Sequence, residues 1–197
     1  MTSIKNPSPC IIALEPLLDI IYHLPEPARA TFLAAWKPLS VPKGYFLVPE
    51  GRVCHHIYFL STGAVRIFYH KDDREVTEWL ALDSSFFFSI RSFFEQAPTH
   101  LIIQSLEASE LLAISHDDLM RLCDQYHAVE KLLRRMVTNS LLLSQARMES
   151  IQFETAQQRY GRLIQERPDI LQRVPLAYIA SFLGITQETL SRIRALR

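Results

Sequence analysis

The stretch Leu176-Ala177-Tyr178-Ile179-Ala180-Ser181-Phe182-Leu183-Gly184-Ile185-Thr186-Gln187-Glu188-Thr189-Leu190-Ser191-Arg192-Ile193 leaves few folds open. Its apolar residues fall into two helical registers, Ile179, Ala180 and Leu183 on the first and Leu190 and Ile193 on the second. Gly184 stands between them, where a tight corner needs a left-handed backbone. Ile185 closes the corner from inside, Thr186 is placed to N-cap the second helix, and Ala180 is small where the helices cross. With the interior so assigned, Gln187, Glu188, Ser191 and Arg192 project from the start of the second helix. Such side chains suit a major groove: Arg forks onto guanine, Glu accepts from cytosine and Gln pairs with adenine. The spacing predicts a helix-turn-helix, with Thr186, Gln187, Glu188, Ser191 and Arg192 at the DNA. An ordinary helical hairpin does not call for the small residue, the corner glycine and the polar tip together.

Charge agrees with that expectation. The net charge is zero, but residues 1–130 hold 10 Lys/Arg against 16 Asp/Glu (−6) and residues 131–197 hold 11 against 5 (+6). A basic third that carries a helix-turn-helix is the electrostatic footprint of a duplex binder. Cys10, Cys54 and Cys123 are too few and too far apart for a disulfide framework or a cysteine-held cluster, which fits a reducing cytoplasm. No run of about 18 apolar residues appears, so no membrane span is expected, and Met1 to Pro9 lacks the layout of a signal peptide.

Upstream, Ile11 to Tyr22 and Pro27 to Trp36 read as two short helices. From Lys37 to Ile114 the period changes to short strands at Tyr45–Val48, Ile57–Leu60, Ala64–Tyr69, Glu75–Leu80, Leu101–Leu106 and Glu110–Ile114, punctuated by turns at Pro42-Lys43-Gly44, Pro49-Glu50-Gly51-Arg52, Ser61-Thr62-Gly63 and His70-Lys71-Asp72-Asp73. Such strands predict a barrel or rolled sandwich. A short helix at His116 to Asp124 precedes a long one from His127 to Ser150. Along the latter Val129, Leu132, Met136, Asn139, Leu143, Ala146 and Ser150 step by three and four, a coiled-coil-like seam expected between two copies, although the same stripe could pack on its own roll. Glu154 to Gln165 is a further helix, ended by Arg167-Pro168.

Two helices, a small β-roll, a seam helix and a terminal helix-turn-helix, in that order, resemble the CRP/FNR family of bacterial transcription regulators over nearly the whole chain. Gly44, Gly51 and Gly63, with Tyr58 and Leu60 before the last, match the turn glycines of a cyclic-nucleotide-binding roll, and Gln187-Glu188-Thr189-Leu190-Ser191-Arg192 looks like the family's recognition helix. The resemblance implies an α+β fold: a sensor jelly roll over residues 1–125, a dimerisation helix over 126–150 and a winged-helix-like DNA-binding unit over 151–197. It implies a homodimer on palindromic double-stranded DNA, with RNA polymerase as a further partner. Any wing would follow Arg197, or the unit does without one. Phosphate contacts would then fall on Arg159, Arg162, Arg173, Arg194 and Arg197.

One departure bears on the ligand. Nucleotide-binding members carry a Gly-Glu pair on the ribose and an Arg-Ser/Thr-Ala clamp on the phosphate. Here Phe88-Ser89 and Thr99-His100-Leu101 stand in their places, and Leu143 stands where a hydroxyl residue would meet the base. The resemblance therefore implies a roll that has lost cyclic-nucleotide binding, although Arg91 or His100 could replace the clamp from another angle. Phe88, Ser89, Arg91, Thr99, His100 and Leu143 outline the candidate pocket, and five phenylalanines between Phe86 and Phe94 make it apolar or simply filled. Haem on His55, His56, His70 or His100 is a weaker option, and Cys10 alone does not suit an iron–sulfur sensor. No cofactor is expected, nor catalysis, since no nucleophile–base pair, metal-spaced set or phosphate loop is found. A rival reading keeps a small-ligand-binding roll and gives the terminal hairpin to a protein partner.

Overall fold

The computed structural model describes residues 8–195. The expected helix-flanked roll is present, built from two four-stranded antiparallel sheets. Strands β1 (Lys37–Val41), β3 (His56–Thr62), β6 (Ser85–Phe87) and β8 (Ser109–Ser115) form one sheet in the order β1-β8-β3-β6. Strands β2 (Phe46–Val48), β4 (Ala64–Lys71), β5 (Arg74–Leu82) and β7 (Ile102–Ser105) form the other in the order β2-β7-β4-β5. The arrangement is an open roll of two sheets rather than a closed barrel.

Strand β3 shows why the sequence folds this way. Its side chains alternate between two cores, as a strand buried on both faces must. Tyr58 and Leu60 point between the sheets, toward Val65, Ile67, Ile103 and Leu111. Ile57 and Phe59 point outward into a helical layer made by α1 (Pro9–Ile21), α2 (Ala28–Ala35), α4 (His116–Gln125) and the start of α5 (His127–Phe153). Leu14, Leu18, Phe32, Leu119 and Leu122 fill that layer. At the turn from β3 to β4, Gly63 has φ +127°, and a Cβ there would overlap the Ser109 side chain, so glycine is required on two counts.

The seam expected along α5 is corrected in its first half. Val129 and Leu132 are fully buried in this helical layer and Met136 packs at its margin, so these three hold α5 to its own roll. Asn139, Leu143 and Ala146 are exposed. Beyond Met136 the helix stands off the roll and presents apolar side chains to solvent, Leu142 at 59% and Phe153 at 81% exposure among them.

A third core joins the C-terminal helices α6 (Ala156–Glu166), α7 (Ile170–Arg173), α8 (Leu176–Phe182) and α9 (Gln187–Ala195) to the rim of the roll. Tyr160, Ile170, Val174, Ile179 and Leu190 pack in one cluster with Ala64, Leu82 and Leu106. Arg173 locks this junction. It donates to Asp83 and Asp169 at 2.8 and 2.9 Å, to Glu107 at 2.6 Å and to the Gly63 carbonyl at 2.7 Å. Expected at phosphate, Arg173 is instead enclosed by three carboxylates, which answer its charge where it is mostly buried.

The Arg173 hydrogen bond, ahead of all other causes, holds the Asp83 carboxyl below its usual range. A carboxyl so lowered stabilises the fold above its unfolded pKa, near ~4, and the contribution is lost as pH falls through the folded value. Arg173→Gln is expected to lower the unfolding free energy by about 1–2 kcal/mol, a figure that allows for partial solvent screening of the carboxylates. Urea titration should find that deficit constant from about pH 8 to about pH 5 and narrowing below about pH 4. A deficit undiminished at about pH 3 would overturn the assignment.

Candidate functional site

The corner of the C-terminal hairpin has the geometry its sequence predicts. Gly184 adopts φ +68°, its N–H donates to the Ser181 carbonyl, and the Ile185 N–H donates to the Ala180 carbonyl at 3.0 Å. This pair of bonds is the Schellman ending of a helix, which a side chain at Gly184 would strain. Thr186 then caps α9, its hydroxyl accepting from the Thr189 N–H at 3.2 Å. Ile179, Ala180, Leu183, Leu190 and Ile193 are buried together.

The polar residues take the other side. Thr186, Gln187, Glu188, Ser191 and Arg192 are all exposed. Glu188 lies in the first turn of α9, and its carboxyl is lowered by the backbone N–H there, then by Thr186 and Arg192. It therefore stands as an anion at neutral pH, able to accept hydrogen bonds. Among the described residues Arg192 makes one hydrogen bond, to Thr189 at 3.5 Å. Arg194 is also exposed, whereas Arg159 donates to the Leu183 carbonyl and Arg162 pairs with Glu154 at 2.7 Å. Of the arginines expected at phosphate, these two and Arg173 are committed within the fold, and Arg197 lies outside the described residues.

Helix α8 fastens this unit to β5, an edge strand. The Ser181 hydroxyl accepts from the Thr77 N–H at 2.8 Å and donates to the Glu75 carbonyl at 3.3 Å, continuing the sheet's hydrogen bonding with a side chain. Beside it Arg66, only 1% exposed, lies between the rings of Phe68 and Tyr178, at 3.7 and 3.6 Å, and donates to Glu75 at 2.7 Å. The sequence gives no signal for this contact, because its partners are spread over three elements.

All six residues of the candidate pocket line one groove of about 1390 Å³ between α5 and the roll. Phe88, Leu143, Trp79, Met136 and Phe86 make much of its wall apolar. Ser89 and Thr99 are buried, and their hydroxyls lie 3.2 Å apart in a bond with each other. Arg91, 86% exposed, turns outward to Glu95 at 2.9 Å. His100 is exposed and meets Tyr69 edge-on. The two substitutes expected for a phosphate clamp therefore do not converge on Ser89 and Thr99. Sequence reasoning missed three further lining cations, Arg135, Arg147 and Arg167, of which Arg147 of α5 donates to the Phe182 carbonyl at 2.8 Å and lies 3.9 Å over the Phe182 ring. Its only sequence signal is its spacing, four residues after Leu143 on one helical face.

The histidines considered for haem are dispersed: His55 bonds Gln96, and His70 faces Glu50 at 3.3 Å. Among the described residues no group of three His, Cys, Asp or Glu side chains could hold a metal ion, and no helix is long and apolar enough to cross a membrane.

Comparison with known proteins agrees with this architecture. Residues 38–126 match the cyclic nucleotide-binding domain family. No match is found among curated proteins. Among solved structures the chain is similar to FixK2 from Bradyrhizobium japonicum, with 21% identity, a TM-score of 0.70, and 82% of this chain and 83% of that one covered. The c-di-GMP responsive global regulator CLP of Xanthomonas campestris aligns at 19% identity with a TM-score of 0.66, covering 84% and 88%. The catabolite activator protein of Thermus thermophilus aligns at 21% with a TM-score of 0.57, covering 90% and 85%. The chain thus carries a cyclic nucleotide-binding-type roll within an α+β fold shared with these three proteins.

Proposed function

We propose that the protein is a dimeric transcription regulator of the CRP/FNR type, in which two helix-turn-helix units read a palindromic duplex. The carrying observation is the division of α9: Leu190 and Ile193 lie inside, while Gln187, Glu188, Ser191 and Arg192 face solvent. A helix so divided can enter a major groove without disturbing its own core. The +6 net charge of residues 131–197 supplies attraction to the duplex. The roll of residues 1–125 serves as sensor, residues 126–150 join two copies, and residues 151–197 read DNA. RNA polymerase and a small effector complete the partners of a cytoplasmic regulator that performs no catalysis. Loss of cyclic-nucleotide binding is supported by the Ser89–Thr99 bond and by the outward turn of Arg91 to Glu95.

The contact between copies follows the exposed face of α5, along Asn139, Leu142, Ala146 and Phe153. Their spacing of three, four and seven residues is a heptad seam: Asn139, Ala146 and Phe153 continue the heptad position of Leu132 past the end of the roll contact, and Leu142 lies beside it. Asn139 in such a seam would pair across the two-fold axis and fix register.

Arg192→Ala is expected to relax base preference at one position per half-site, at about 1–3 kcal/mol. Selection of bound sequences from a random duplex pool, for both proteins, measures this; an identical preference in the variant, or no enrichment by the parent protein, sinks the reading. Leu142→Glu is expected to place a charge in the seam and leave a monomer with weakened operator binding. Sedimentation equilibrium tests it, and an unchanged association state in the variant would rule out this seam.

A further inference from the structure

We infer that the groove between α5 and the roll binds a ligand with an apolar body and a single carboxylate head, the head being received by Arg147. The wall offered by Ile21, Phe86, Phe88, Trp79, Met136 and Leu143 suits a ring system or chain, with little to reward a polar one. At the end nearest β3 and α3 (Ile90–Glu95) the Ser89 and Thr99 hydroxyls bond each other and Thr99 also accepts from the Leu101 N–H, so that end offers hydroxyls but no cation to an anion.

Arg147 supplies the opposite condition. It is largely buried, yet among the described residues no carboxylate lies within 4.0 Å of it. One nitrogen is committed to the Phe182 carbonyl, the guanidinium plane rests on the Phe182 ring, and among the described residues its other N–H donors make no hydrogen bond, although the residue lines the groove. Burial pulls its pKa down to about 10, so it is still a cation at neutral pH, and Glu78 steadies it only at a distance. A half-buried cation without a counter-ion is costly, and an anionic ligand repays that cost on binding.

The charge of the head follows from the surroundings. Glu78 lines the same groove, with its carboxyl raised chiefly by burial and drawn back by His100 and Arg147. A doubly charged phosphate would meet this carboxyl with Arg147 to answer it, since of the other lining arginines Arg91 turns to Glu95, Arg135 donates to the Ile21 carbonyl and Arg167 is exposed. A carboxylate, planar and singly charged, matches the guanidinium fork. The site is independent of the DNA-reading proposal, since it needs neither α9 nor a second copy.

Anilinonaphthalene sulfonate and its uncharged parent, anilinonaphthalene, share an apolar body and differ by one anionic group, so they separate the two halves of the inference. The purified native protein should bind both, read by fluorescence titration. Arg147→Gln should weaken the sulfonate about tenfold and leave the parent unchanged, while Arg147→Lys should retain sulfonate binding better than Arg147→Gln. Arg91→Gln should alter neither, and excess cyclic AMP should displace neither. The inference is overturned by equal loss of both probes in Arg147→Gln, by no loss of the sulfonate, or by Arg147→Lys binding no better than Arg147→Gln. Dependence on Arg91 or displacement by cyclic AMP overturns it too. Failure of the native protein to bind either probe would mean that a second copy's helix fills the groove, with the same consequence.

Discussion

Arg66 is the interaction on which the placement of the C-terminal helices turns. An arginine removed from water is tolerated only where its charge and donors are answered. The roll alone answers it in part, with Glu75 at 2.7 Å, Gln104 at 3.3 Å and the ring of Phe68 beneath. The other face of the guanidinium is covered by Tyr178, which belongs to α8. Without α8 that face would be open to water, so the roll's strand β4 and the first helix of the hairpin share one buried cation. Ser181 extends the same joint by bonding both Thr77 and Glu75 of the edge strand β5.

Arg66 and Arg173 hold the unit in two places, and the two contacts differ in kind. Arg173 sits among three partly exposed carboxylates, so its bonds trade against water and are modest one by one. Arg66 is enclosed, with Nε lacking a partner among the described residues, so its ring contacts carry the joint. Both joints involve α7 and α8, and neither uses the exposed face of α9. The exposed face of α9 is thereby fixed in orientation and left unobstructed.

How much of this is legible in the sequence depends on how far apart the interacting residues lie. The corner at Gly184 is local: glycine, cap and apolar register fall within one stretch, and each takes its expected place. Strands β3, β4 and β8 are legible because burial makes them largely apolar runs, and β5 because Val76, Thr77 and Trp79 are strand-favouring types. Strand β1 is not, since Lys37-Pro38-Leu39-Ser40-Val41 lies at a sheet edge and is mostly exposed, where a proline costs no ladder bond and no apolar pattern is demanded. Strand β6 is three residues long, too short for a period to show. The seam on α5 went astray for a different reason. An apolar stripe records that a face is buried but not by what, and Val129 and Leu132 are covered by this chain's own roll. Arg173 reads as a solvated charge because Asp83 and Glu107 stand far away along the chain.

Arg147 connects the groove to the hairpin by contact rather than by proximity alone. Its bond to the Phe182 carbonyl reaches the last residue of α8, and the Phe182 ring that it covers also meets Trp79 of β5 edge-on. The indole lines the groove as well. Any group that draws Arg147 toward the groove must therefore compete with the Phe182 carbonyl and uncover one face of that ring. The position of α8 can shift through this route only by as much as the occupant prefers one arrangement of Arg147 to the other. The opposing hold is the set of Arg66, Ser181 and Arg173 contacts, which Arg147 does not touch. The position of α8 is then set by a contest between one half-buried cation and a joint built around another.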